Sequence, residues 1–127
     1  MAQIILDKVR KAFGPLTVVA EFSLTVGRPG VSHYAAAKAG IAGFTRTLAK
    51  EVGPQGITAN AIAPGYVGTD MVMAIKPEVR EGIIATIPMG RLGKPEEIGG
   101  LCAYLASDLA GYMTGATLNI NGGLHFS

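Results

Sequence analysis

The spacing of hydrophobic residues along this chain follows two patterns, one typical of helices and the other of short strands. Helical spacing and helix start signals predict helices over residues 3–13, 32–52, 77–86 and 95–107. Short β-rich and apolar runs that end near glycine or proline predict strands over residues 16–22, 57–63 and 117–121. Stretches rich in turn-forming residues predict loops over residues 23–31 and 64–76.

The order of these elements predicts the fold class. Strands and helices alternate from residue 16 onward, and such alternation favours parallel strand pairing with the helices as crossovers. We therefore expect an α/β fold in which helices cover both faces of a parallel sheet. The chain has 127 residues, 49% of them hydrophobic, which is enough for one domain with its own core, so we expect a single domain over residues 1–127.

The charges and the single cysteine argue against several kinds of partner and site. Eleven lysines and arginines oppose nine acidic residues without forming a basic stripe, so nucleic acid and anionic membranes are poor candidates as partners. Cys102 lies in an apolar helical pattern, which indicates a small core residue and offers neither a disulfide framework nor a metal site. No segment resembles a membrane span or a signal peptide, which predicts a cytoplasmic protein.

Tyr34 and Lys38 form a candidate catalytic pair near the start of the longest predicted helix. They are four residues apart, so their side chains share one helix face. A free tyrosine has a pKa of roughly 10, and a neighbouring cation lowers it, which makes the phenol a usable proton donor to a carbonyl oxygen. On spacing alone, a half-buried tyrosine beside a solvated lysine is the more frequent arrangement.

Four ordered blocks, at residues 30–40, 57–71, 90–98 and 114–123, match one family in residue type and spacing. They resemble the short-chain dehydrogenase/reductase family, in which the first block is the active-site helix and the second is a strand with the loop that closes on the nicotinamide. The ending Gly122-Gly123-Leu124-His125 is most similar to acetoacetyl-coenzyme A reductases, followed by 3-oxoacyl carrier-protein reductases. The resemblance implies the C-terminal half of a Rossmann-like fold, a partial fold truncated relative to the full family.

The resemblance also implies a reaction, the NAD(P)H-dependent reduction of a small-molecule ketone such as a 3-oxoacyl thioester. Tyr34 would be the general acid, and Lys38 would lower its pKa and bind the nicotinamide ribose. The other residues implied at the cofactor are Pro64, Gly65, Val67 and Thr69. The resemblance slightly favours NADP over NAD and implies no metal. Without it, Pro64-Gly65 could be an ordinary turn after a strand, and Thr69-Asp70 a helix cap.

The chain departs from the family pattern in its phosphate-binding and serine segments. No two glycines are two positions apart, which excludes the family loop Thr-Gly-x-x-x-Gly-x-Gly and the related Gly-x-Gly-x-x-Gly. The family's Asn-Asn-Ala-Gly segment is absent as well, because Asn60 is the first asparagine. Family spacing places the catalytic serine at Glu21, whereas the nearest serine is Ser23, which we take as the third catalytic candidate.

Two functions are consistent with these observations. The first is a working reductase in which half-size chains assemble, as a homodimer or homotetramer, to rebuild the cofactor cleft. The second is an inactive family fragment that serves as an assembly or interaction module. The alanine- and glycine-rich helix over residues 32–52 predicts close packing on a partner helix in either case. The methionine-rich residues 71–94 could form a lid over an acyl chain or pack as core.

Overall fold

A computed structural model describes residues 17–20 and 32–125, with side chains from residue 36 onward. The helices are α1 (Ser32–Val52), α2 (Asp70–Met73), α3 (Pro77–Ala85) and α4 (Pro95–Leu105), and the strands are β1 (Thr17–Ala20), β2 (Ala59–Pro64) and β3 (Thr117–Ile120). Single 3-10 turns lie at Gly53–Gln55 and Asp108–Ala110. The predicted helix over 3–13 and the predicted loop over 23–31 lie outside the described residues.

The three strands form one parallel sheet in the order β1-β2-β3. Val18 pairs with Asn60 across the first ladder, and Ile62 pairs with Leu118 across the second. Helices lie between consecutive parallel strands, as βαβ crossovers require. The predicted α/β class, a partial Rossmann-like fold, is confirmed.

One face of β2 carries the apolar core. Ile62 packs with three buried residues from α4 and the following turn, namely Ile98, Leu105 and Ala110. Leu118, the partner of Ile62 on β3, also lies against this cluster. Burial of these side chains is what holds α4 on the sheet, because removing apolar surface from water is the main stabilising contribution in a small domain.

The opposite face of β2 is built from small residues. Alternate strand residues point to opposite faces, so the alanines at 59, 61 and 63 all lie on the face away from Ile62. Helix α1 packs against β2, and two of its buried residues, Ala42 and Ala49, are also small. Methyl-sized side chains on both elements let the helix lie close to the sheet. Helices therefore cover both faces, as expected.

The structure corrects several predicted boundaries; helix α4, for example, ends at Leu105 instead of residue 107. The segment 64–76, predicted as a loop, contains the one-turn helix α2, closed by the hydrogen bonds from Met73 N to Thr69 O and from Ala74 N to Asp70 O. Strand β2 begins at Ala59 instead of residue 57, because its pairing starts where the Gly115 amide donates to the Ala59 carbonyl at 2.7 Å. Within the described part of the chain, no helix combines the length and apolarity needed to cross a bilayer.

Candidate active site at the carboxyl ends of the strands

Helix α1 brings Lys38 to the carboxyl end of the sheet. Because α1 connects two parallel strands, it runs opposite to them, and the Cβ of Ala49 lies 3.4 Å from where a Cβ on Gly115 would stand, beside the start of β2 at Ala59. The eleven-residue step back from Ala49 to Lys38 covers about 16 Å of helix. The five residue-to-residue steps of strand from Ala59 to Pro64 cover about the same length. Lys38 is therefore level with the end of β2.

Lys38 is buried at this point, with only 8% of its surface exposed, and it makes an interaction within the chain. A lysine in such a position is held in place by its surroundings, because a charged group leaves water only where other groups compensate it. The backbone of Tyr34 lies one helical turn earlier in α1. The side chain of Tyr34, and the serine candidates Ser23 and Glu21, fall outside the described residues.

The chain after β2 passes directly against the chain after β3. The amide of Gly65 donates to the Ile120 carbonyl at 3.1 Å, and a Cβ on Gly65 would stand 2.8 Å from the Cα of Asn121 and 2.9 Å from its carbonyl oxygen. Real side chains do not approach a backbone so closely, so the position accepts only glycine. Pro64 ends the strand immediately before it. At Pro64-Gly65, where a turn was predicted, the ends of the parallel strands β2 and β3 are therefore in close backbone contact.

In the segment that follows, Tyr66–Thr69, two backbone hydrogen bonds join the chain to Gly93 in a distant turn. Gly93 donates its amide to the Tyr66 carbonyl at 2.9 Å, and the Gly68 amide donates to the Gly93 carbonyl at 2.9 Å, which makes Val67 and Gly93 a short parallel bridge. In such a bridge the amide and carbonyl of Val67 point away from Gly93. Among the described residues the Val67 amide has no hydrogen-bond partner, while its carbonyl accepts from the Thr69 amide at 2.7 Å.

The predicted cofactor residues thus lie along one edge, with Thr69 at its far end. Thr69 occupies the N-cap position of α2, but its hydroxyl makes no capping hydrogen bond. The residues Pro64, Gly65, Val67 and Thr69 are contiguous on the loop, and Lys38 is level with the start of that loop. A small cleft of about 120 Å³ beside the loop, lined partly by Met89, is far too small for a dinucleotide.

Sequence reasoning assigned no role to a charged pair that lines the cleft beside this loop. The two guanidinium nitrogens of Arg91 donate to the two carboxylate oxygens of Glu97, at 2.7 and 2.9 Å, and the Lys94 amide donates to Glu97 at 2.7 Å. These bonds, that from Arg91 first, lower the pKa of Glu97 from 4.5 to about 2. The sequence could have predicted the bond between Glu97 and the Lys94 amide, because a glutamate three residues after a helix N-cap often accepts a hydrogen bond from the N-cap amide, as in a capping box.

We expect the Glu97 carboxyl to titrate with a midpoint near 2, as followed by its carbon chemical shift in NMR spectra recorded at decreasing pH. Because its pKa is lowered in the folded chain, the stabilisation from this group is complete above pH 4.5 and is lost as the pH falls through about 2. Replacing Arg91 by methionine should move the midpoint up toward 4.5. A wild-type midpoint already at 4.5 would contradict the bidentate contact.

Comparison with known proteins identifies the family. The family model described as enoyl-(acyl carrier protein) reductase matches residues 1–125. This chain belongs to the short-chain dehydrogenase/reductase family. The family predicted from the four sequence blocks is therefore confirmed. In the described part of this short-chain dehydrogenase/reductase, no three histidine, cysteine or acidic side chains come together as a metal site would require.

Among the relatives of this short-chain dehydrogenase/reductase is nodulation protein G from Azospirillum brasilense, which is 53% identical over 116 residues, or 91% of this chain and 47% of the relative. The 3-oxoacyl-(acyl-carrier-protein) reductase FabG from Haemophilus influenzae is 46% identical over 119 residues, 94% of this chain and 49% of the relative. The acetoacetyl-CoA reductase from Cupriavidus necator is 45% identical over 123 residues, which cover 97% of this chain and 50% of the relative. The chain spans about half the length of these curated relatives.

Proposed function

We propose that this chain provides the catalytic-helix half of an NAD(P)H-dependent oxidoreductase that reduces a ketone, such as a 3-oxoacyl thioester, to the alcohol. The observation that carries the proposal is the buried Lys38, level with the Pro64–Thr69 loop at the carboxyl ends of parallel strands. Open α/β sheets bind their ligands at this edge. The names of two relatives, a 3-oxoacyl reductase and an acetoacetyl-CoA reductase, support the substrate class.

The loop has the hydrogen-bonding groups that a nicotinamide requires. A carboxamide carries both a donor and an acceptor, and the outward edge of Val67 presents an amide donor and a carbonyl acceptor. The Thr69 hydroxyl adds a group that can donate or accept. The ammonium of Lys38 can donate to ribose hydroxyls beside the loop. The residues present therefore fit the nicotinamide half of the cofactor, and family resemblance slightly favours NADP over NAD.

In this proposal, residues of the chain supply the proton that the reduction requires. A bound reduced nicotinamide supplies the hydride to the carbonyl carbon. Tyr34 donates its phenolic proton to the carbonyl oxygen as negative charge develops there, which completes the alcohol, and the phenolate then recovers a proton from solvent. The positive charge of Lys38 favours the phenolate and so makes Tyr34 a stronger acid. Ser23 would donate a hydrogen bond to the same oxygen, which an ionised carboxylate at Glu21 could not do.

The outer face of α1 supports assembly as a homodimer or homotetramer. Space is open around Gly40 and Gly43, where an added Cβ would meet no atom within 4 Å, and Phe44 beside them is 58% exposed. A helix with small residues next to an exposed aromatic ring can accept another helix at close range. This surface equally favours the second candidate function, an inactive family member that acts as an assembly module. In either case we propose a cytoplasmic location.

Calorimetric titration of NADH and NADPH into the chain tests the proposal. We expect a Kd above about 1 μM, which corresponds to a binding free energy of about 8 kcal/mol, because the chain offers hydrogen-bonding groups only to the nicotinamide half of the cofactor. Lys38→Met, which keeps the length of the buried side chain, should weaken binding about tenfold or more through loss of charge-assisted hydrogen bonds. Lys50→Met is the matched control, because Lys50 is exposed in the last turn of the same helix and should bind as wild type does.

Light scattering on the same samples gives the mass of the species that binds, which we expect to be a dimer or tetramer. An assembled chain that binds neither nucleotide would support the inactive module. Equal binding by wild type and Lys38→Met would show that Lys38 does not contact the cofactor.

A further inference from the structure

We propose that Glu97 is a positioning residue for the Pro64–Thr69 loop, called the cofactor loop below, which it holds in place through the turn around Gly93. The inference rests on the proposed function, because it assigns to Glu97 the task of fixing the edge of Val67 that receives the nicotinamide. Glu97 lines the small cleft beside the loop together with Arg91 and Gly93. It acts on the loop through Arg91 and the backbone of Lys94.

The loop depends on Gly93 for its position. After Gly65 bonds to β3, the only backbone hydrogen bonds that tie residues 66–68 to another described segment are the two made with Gly93. Both are 2.9 Å long, and they flank Val67 on either side. A displacement of Gly93 is therefore passed directly to the outward amide and carbonyl of Val67.

Glu97 fixes Gly93 by bonding to the chain on both sides of it. Arg91, two residues before Gly93, donates twice to the carboxylate, and the amide of Lys94, one residue after, donates to the same group. Arg91 also donates to the Leu92 carbonyl at 3.0 Å, which closes the turn on itself. One carboxylate thus holds the residues before and after Gly93.

The carboxylate is carried on a fixed support. Glu97 is in the first turn of α4, and the next residue, Ile98, is 7% exposed in the core while Leu105 near the helix end is 2% exposed. The Arg91–Glu97 pair itself is partly exposed, at 43% and 38%, and such pairs contribute little to overall stability. The pair is therefore placed to set local geometry with little effect on the stability of the whole chain.

Amide hydrogen exchange measured by NMR tests the holding role without any cofactor. Glu97→Ala should speed exchange at the Gly68 and Gly93 amides by about tenfold or more, because loss of the carboxylate frees the turn. The Ala61 amide, which donates to Ala116 within the sheet at 2.8 Å, should keep its rate. The matched control is Glu96→Ala, which removes an equal charge from the same helical turn but no described hydrogen bond.

Conservative variants separate positioning from a general loss of structure. Glu97→Gln keeps an acceptor for the Lys94 amide and should give intermediate exchange rates. The double variant Arg91→Met/Glu97→Ala should show the same exchange rates at the Gly68 and Gly93 amides as Glu97→Ala alone, since both changes break one linked network. Additive effects in the double variant would overturn the linkage.

Cofactor titration completes the test. Glu97→Ala should raise the Kd for the reduced nicotinamide about tenfold, and any reductase activity should show the same rise in KM with a smaller change in kcat, because Lys38 and Tyr34 lie on α1. Unchanged exchange at Gly68 and Gly93 would overturn the positioning role whether or not cofactor binds. Faster exchange with unchanged Kd would also overturn it. A wild-type chain that binds no nicotinamide would instead overturn the proposed function, and the exchange data would still decide whether Glu97 holds the turn.

Discussion

Replacing Tyr34 by phenylalanine is expected to lower the rate of ketone reduction by about 10²–10⁴-fold, the usual effect of removing a positioned general acid. Hydride addition leaves negative charge on the carbonyl oxygen, and the phenol of Tyr34 is the proposed source of the proton that neutralises it. Phenylalanine keeps the ring and removes only the hydroxyl, so cofactor affinity and thermal stability should change little. Steady-state assays with a short 3-oxoacyl thioester and NADPH measure the effect.

The control for this experiment is Tyr112→Phe, which removes a hydroxyl from a fully exposed tyrosine far along the chain from α1. It should leave the rate unchanged. If Tyr34→Phe kept more than half of the wild-type rate while folding normally, the general-acid assignment would be wrong, and α1 would serve only as scaffold.

The second large effect is expected at Gly65, where alanine should lower the free energy of unfolding by about 1–3 kcal/mol or more. The added methyl would stand 2.8 Å from the Cα of Asn121, and backbone atoms can yield only if the two strand ends separate. That separation would also stretch the hydrogen bond from the Gly65 amide to Ile120. Urea unfolding followed by circular dichroism measures the loss.

Gly82→Ala provides the comparison, because Gly82 lies inside α3 with nothing within 4 Å of an added Cβ. There alanine should stabilise the chain by about 0.5–1 kcal/mol, since glycine is the poorer helix former. Equal stability of Gly65→Ala and wild type would mean that the strand ends are further apart than the structure places them.

Sequence alone predicted the elements whose local signals agree with their packing. The long helix was predicted and observed over Ser32–Val52, because its helical pattern and its N-cap signal point to the same boundaries. The short helix α2 was missed, since Pro64, Gly65 and Gly68 gave the whole segment the composition of a loop. Thr69 and Asp70, which start α2, were considered only as a cap.

In the candidate site, the sequence predicted only which residues lie near one another within a single contiguous motif. Pro64 to Thr69 form one motif, and the structure shows them as one loop edge. Gly93 and Glu97 belong to a different motif, and their link to that loop is made by backbone hydrogen bonds between segments about 25 residues apart. Such long-range pairing leaves no local mark on residue spacing, so the sequence could supply the residues but not the connection between them.

The strand order has a consequence for how the chain is made. The described strands β1, β2 and β3 follow one another along the sheet as they do in the sequence, so none of these three must be inserted between two that already pair. Ribosomes release the N-terminal part first, at about 5–20 residues per second, which lets each strand join the growing edge as it emerges. Helix α1, which carries Lys38, can pack on the sheet once β2 has left the ribosome. Of the contacts described above, the one between Gly65 and Ile120 forms last, because Gly65 must await β3.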